Sequence, residues 1–208
     1  MAITTYGELQ TAIANWLQRS DLTSRLPEFI ALAEDRVAHD LRIREMETTS
    51  DVTITASTTT TALPTNFLGL RRMYLNVSGA PRIDYYPPEA FWKIYDSANS
   101  GRPIRVTIEA GNFVWGPTPD SSYTAKALCW IKPTAWSATS DTNSILTNHT
   151  GLYLYGSLLE AALYLEDDAA AMKYAMRYQE EVERVKRSDR KDRYPAGQKS
   201  SRSEVGIV

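Results

Sequence analysis

The side chains that could carry acid–base, nucleophilic or metal chemistry are few here, and badly spaced for it. The chain of 208 residues holds two histidines and one cysteine. His39 falls on the polar side of a helical pattern, and His149 sits beside Asn148 in a loop. A metal site needs several converging ligands. Neither histidine is followed three or four residues on by a ligand, as an HExxH helix would require. Cys129 lies in the apolar run Ala127-Leu128-Cys129-Trp130-Ile131, where a free thiol serves as a small buried hydrophobe. Glu166-Asp167-Asp168 holds three carboxylates, but consecutive side chains point apart, so the cluster reads as a cap linking two helices. Glu34 and Asp35 are adjacent for the same reason without facing one another. A cell-wall hydrolase would require a facing pair, for instance Glu89 and Glu109 within about 10 Å. No nucleophile elbow, P-loop or dinucleotide fingerprint is present. The expectation is no enzyme: no catalytic residue, no metal and no cofactor.

Charge is distributed unevenly. The net charge is −2, yet the stretch from Arg184 to Val208 carries eight basic and three acidic residues, a net of +5. A basic end on an acidic body suggests an interaction arm; a solvated helix end with a loose terminus is the alternative. Arg71-Arg72 is an isolated basic pair, and no nucleic-acid reading motif accompanies it. Sequence-specific DNA binding is therefore not expected. Residues 1–10 lack the basic start and apolar block of a signal peptide, and no apolar run approaches the ~20 residues of a membrane span.

The elements that must hold any site follow from periodicity. Thr5-x-x-Glu8 is a capping box opening a helix from Tyr6 to Gln18. A second helix is expected from Leu26 to Arg42, with Pro27 in its first turn. Leu26, Phe29, Ile30, Ala33, Val37 and Leu41 make its buried stripe, and Glu34, Asp35, Arg36, Asp40 and Arg42 a wet or partner-facing side. From Thr48 the pattern changes to alternation, expected as a strand and hairpin over Thr48–Thr61 and strands over Leu68–Val77, Arg82–Tyr86, Ile104–Ile108, Phe113–Trp115 and Tyr123–Lys132. A short helix is expected over Ala90–Tyr95. Helix returns at Gly151–Leu165, GLYLYGSLLEAALYL, where Glu160 is the sole charge. A helix apolar all round is buried all round, either as the central strut of a bundle or walled in by neighbouring subunits. A last helix, Ala169–Lys191, is expected to bury Met172, Ala175, Met176, Gln179, Val182 and Val185.

The fold class is thus α+β: terminal helices (1–47 and 145–192) in a helical bundle, a central β-rich insert (48–144), and an extended C-terminal arm (193–208). Tyr85, Tyr86, Phe91, Trp92 and Trp115 gather in the β insert. They pack its core and turns, or they form a protein interface between subunits or with another partner, where Tyr and Trp are enriched. A different class of function would use them as an aromatic β face for receptor or carbohydrate recognition.

Five stretches in order resemble tailed-bacteriophage head-to-tail adaptors of the type that sits under the portal ring. They are TYGELQTAIANWLQRSDLTSRLPEFIALAEDRV from Thr5, ALPTNFLGLRRMYLN from Ala62, GRPIRVTIEAGNF from Gly101, GPTPDSSYTAKALCWIKP from Gly116 and NSILTNHTGLYLYGSLLEAALYLEDD from Asn143. The resemblance implies a structural virion component of the neck, made in the cytoplasm of the bacterial host. It implies about twelve copies in a ring, the portal protein above, a nozzle or other tail protein below, and DNA passing through the channel. It also implies portal contact by the C-terminal arm: Arg190, Lys191, Arg193, Tyr194, Lys199, Arg202, Ile207 and Val208. It supplies no catalytic residue.

Overall fold

The structure, a computed structural model, describes residues 3–95 and 99–193. The chain divides into two units. One joins the chain up to Arg44 with the chain from Ala135 onward; the other is Glu45–Thr134.

The first unit is built around five helices among the described residues: α1 (Tyr6–Leu17), α2 (Leu26–Asp40), α4 (Ser144–Asn148), α5 (Thr150–Tyr164) and α6 (Asp168–Arg193). The capping box starts α1 as expected: Thr5 Oγ1 accepts the Glu8 N–H, and Glu8 Oε2 accepts the Thr5 N–H at 3.0 Å. Gln18, in the left-handed region at φ 52°, ends the helix. α2 keeps its expected stripe but stops at Asp40, two residues early, and Leu41 is extended. Its wet side is smaller than expected. Glu34 is only 3% exposed, and Tyr6 and Tyr153 lie near enough to feel its charge.

α5 is the strut of this unit, with α1, α2, α4 and α6 packed on it. Leu152, Tyr153, Leu154, Leu158, Leu159, Ala161 and Ala162 are buried on all sides of it. Its C-terminal end is different, because Leu163 and Tyr164 are exposed. Small residues set the spacing: Gly156 lets Ala33 of α2 and Tyr178 of α6 approach the α5 backbone. α6 corrects the expected stripe. Ala171, Tyr178, Val182 and Val185 face inward, whereas Met172 and Met176 are 72% and 64% exposed. Two adjacent faces of its first half are apolar, so spacing alone could not choose between them. The tertiary contacts do: Ala171 fits beside Leu159 and Ala162, and the Tyr178 hydroxyl donates to Asp40 Oδ2 at 3.1 Å.

The segment 135–144, expected at the edge of the β insert, belongs with the helices. Trp136 stacks on Tyr6 at 5.3 Å, and the Tyr6 and Gly7 N–H groups donate to the carbonyls of Asp141 and Thr139.

The second unit holds β1 (Glu47–Ile54), β2 (Thr60–Ala62), β3 (Phe67–Leu75), β4 (Arg82–Tyr85), α3 (Pro88–Ile94), β5 (Ser100–Gly101), β6 (Arg105–Glu109), β7 (Asn112–Gly116), β8 (Thr118–Pro119) and β9 (Tyr123–Ile131). Among the described residues, seven strands form one sheet in the order β1-β9-β3-β4-β6-β7-β2, and β5 pairs with β8. The expected hairpin of Thr48–Thr61 does not form as a ladder: β1 pairs with β9 and β2 with β7. Alternation of β1 is satisfied by a long partner, since all eight of its residues pair with β9, and a three-residue β2 could not supply that. One face of the sheet buries Val52, Ile54, Met73, Leu75, Ile83, Val106, Phe113, Trp115, Ala125, Ala127 and Cys129. Cys129 is therefore the small buried hydrophobe expected of it, and burial pushes its thiol up to about 11.

Candidate interaction surfaces

The basic end of α6 is a network before it is an arm. Arg193 Nε donates to Asp189 at 2.6 Å, and the Arg44 backbone N–H donates to the same carboxylate at 2.9 Å. The Arg44 guanidinium reaches on to Asp192 at 2.6 Å. Burial lifts the Asp189 carboxyl, but these donors outweigh it and hold it below the usual carboxylate range. Arg190 and Lys191 stay exposed. Arg193 lies within helix α6. Tyr194, Lys199, Arg202, Ile207 and Val208 lie outside the described residues.

The five aromatics of the β unit separate into two kinds. Phe91 and Trp115 are 1% and 2% exposed; both are packing residues, and neither can meet a partner. Tyr86 is half-buried, with the Arg105 guanidinium over its ring at 5.0 Å. Tyr85 and Trp92 are half exposed, and the Trp92 indole N–H donates to Glu109 Oε1 at 2.6 Å. Glu109 is thus engaged by the indole of α3.

The helices expose apolar groups that spacing did not announce. Leu163 and Tyr164 at the end of α5 and Met172 and Met176 on the first turns of α6 flank the exposed acidic turn Glu166, Asp167 and Asp168. The expected capping role of that turn is present, since Asp167 Oδ1 accepts the Ala170 N–H at 3.0 Å.

One surface was missed altogether. Two adjoining clefts of about 420 and 340 Å³ open on the β3–β4 side of the sheet, and Arg72 and Arg82 line both. Met73, Tyr74 and Ala80 complete the first, and Arg71 and Leu128 the second. Strict alternation sends consecutive side chains to opposite faces. Here the ladder slips: Leu70 pairs with Cys129 and Arg72 with Leu128, leaving Arg71 as the extra residue of a bulge. Bulges re-aim side chains, and this one brings Arg71 and Arg72 to the same cleft. Arg71 is held by Glu47 at 2.5 Å and Arg82 by Asp84 at 2.9 Å. Arg72 lies over the Tyr74 ring at 5.7 Å, and among the described residues no carboxylate pairs with it. The doublet Arg71-Arg72 is visible in the sequence, but the bulge that makes it a site is not.

His39 is exposed beside Asp40 at 3.1 Å, and His149 lies between α4 and α5. Among the described residues no group of three or more His, Cys, Asp or Glu side chains is placed to hold a metal ion. No described helix is long and apolar enough to cross a membrane.

A family model described as SU10 adaptor protein matches residues 4–201, nearly the whole chain. No curated protein matches it.

Proposed function

We propose a role for this chain as a member of the SU10 adaptor protein family, to which it belongs over residues 4–201. The family is one of phage head-to-tail adaptors, so the protein is a structural component of the virion neck. The finer reading is that about twelve copies close into a cyclic ring below the portal protein. The ring extends the channel through which DNA leaves, without sequence-specific contact, and receives a nozzle or other tail protein on its far side.

The family match over nearly the entire chain carries this reading. The exposed Leu163, Tyr164, Met172 and Met176 support it, because large apolar groups left exposed together mark contact surfaces. The exposed Arg190 and Lys191 support portal contact through the C-terminal end, together with Arg193, Tyr194, Lys199, Arg202, Ile207 and Val208. The aromatic receptor reader gains nothing: Phe91 and Trp115 are core residues, which leaves Tyr85 and Trp92 and no array.

The test is electron microscopy of purified protein with portal. A full ring on the portal is expected. The cut is placed after Arg193, so that the Arg44, Asp189, Asp192 and Arg193 network survives. Removing 194–208 should leave the helical circular dichroism signal intact and abolish attachment. Unchanged attachment of the truncated chain would refute the arm.

A further inference from the structure

We propose that the arginine cleft of the β unit receives the acidic turn Glu166–Asp168 of a second copy of this chain, as the repeating contact of the ring. This rests on the ring reading and names a contact within it.

The cleft has the chemistry of a carboxylate receptor. Guanidinium forks bind carboxylates in a bidentate way and keep their charge at any working pH. Arg72 is the member of the trio that no carboxylate of its own copy pairs with among the described residues, and it stands between two that are held in place by Glu47 and Asp84. Tyr74 and Leu128 add apolar wall.

A DNA backbone suits this surface poorly. Binding to a duplex scales with the number of phosphates neutralised, and here acids interleave the bases. Glu47, Asp51 and Asp84 pair with Arg71, Lys126 and Arg82. The cleft favours a compact acidic group over a long polyanion.

The chain itself supplies that group. Glu166, Asp167 and Asp168 are consecutive and exposed. Leu163 and Tyr164 stand exposed just before them, so the turn offers acid and apolar surface together, the complement of the cleft. Cleft and turn are different surfaces, so the contact is heterologous. Each copy would give one and receive the other, and such contacts generate rings when the rotation closes.

The experiment uses two variants of the full chain. One inverts the cleft, Arg72→Glu with Arg82→Glu. The other inverts the turn, Glu166→Lys with Asp168→Lys, and spares Asp167 because its carboxylate accepts the Ala170 N–H. Thermal melting first verifies that both fold. Rings on the portal are then counted by electron microscopy. Wild type should form rings, and each variant alone should form at least about tenfold fewer, because like charges meet across every contact. An equal mixture of the two should restore them, since every contact in an alternating ring again pairs opposite charges. Rings from either variant alone at the wild-type level, or a mixture that stays unassembled, would overturn the contact and leave the ring standing. Wild-type protein that binds portal only as single copies would instead overturn the ring, and the contact with it. Retention of a short DNA duplex by wild type, lost in the cleft variant while rings persist, would assign the cleft to phosphate and refute the proposal.

Discussion

Gly156 offers a quantitative test of how α5 is held. Glycine in a helix interior is worse than alanine by about 1 kcal/mol, so propensity alone predicts that Gly156→Ala stabilises. The tertiary structure predicts the reverse. A Cβ at position 156 would lie 3.0 Å from the Ala33 Cβ and 3.6 Å from the Tyr178 ring, whereas carbon atoms pack best at about 3.5–4.0 Å. Overfilling a packed contact costs about 1–3 kcal/mol. The α2–α5 spacing cannot simply widen, because Arg36 pairs with Glu160 and Phe29 meets the Tyr164 ring at 5.5 Å along the same interface. The net expectation is a loss of about 0–2 kcal/mol. Ala33→Gly alone should lose about 2 kcal/mol, from helix propensity and one buried methyl. The double variant moves the methyl from one helix to the other and removes the clash. It should return to within about 0.5 kcal/mol of wild type, where additivity predicts a loss of about 2–4 kcal/mol. Urea titrations followed by the helical circular dichroism signal, with m checked for constancy, measure all four proteins. Each kcal/mol should also appear as a melting shift of about 2–4 °C in a chain of this size. A Gly156→Ala protein more stable than wild type, or a double variant carrying the summed loss, would refute the close-approach argument.

Three further outcomes are expected. Asp189 titrates below its unfolded value near ~3.9, so its pairing stabilises above that pH and is lost as pH falls through the folded value. The wild-type advantage over Asp189→Asn in urea midpoint should hold from neutral pH downward and close in acid; a gap that persists there would contradict the assignment. Cys129, buried with its thiol at about 11, should react with a disulfide reagent at least about a hundredfold more slowly in the native protein than in urea, and comparable rates would show it accessible. Met172→Ser with Met176→Ser should change stability by no more than about 0.5 kcal/mol, as exposed substitutions do, while lowering ring assembly on portal. Intact assembly would remove this face from the interface.

The sequence by itself determined whatever depends on neighbours along the chain. Thr5 and Glu8 start α1 because a capping box needs only residues three apart. The apolar girdle of Gly151–Leu165 required burial on every side, and α5 is buried on every side until Leu163. Alternation located β1, β3, β6 and β9 to within a residue or two. Family membership was legible in the order of five stretches, none of them distinctive alone.

What escaped the sequence depends on partners distant along the chain. Periodicity could not choose between the Met172 and the Ala171 faces of α6, because both are apolar; contact with α5 and the Tyr178–Asp40 hydrogen bond decided it. Charge suggested that Glu34 was wet, and tertiary packing buried it. β1 looked ready for a hairpin, but a three-residue β2 could not satisfy eight residues of ladder that β9 could. Arg71 and Arg72 read only as an isolated basic pair. One extra residue in the β3–β9 ladder placed them on one cleft with Arg82, and register is a property of two strands that neither strand's sequence contains.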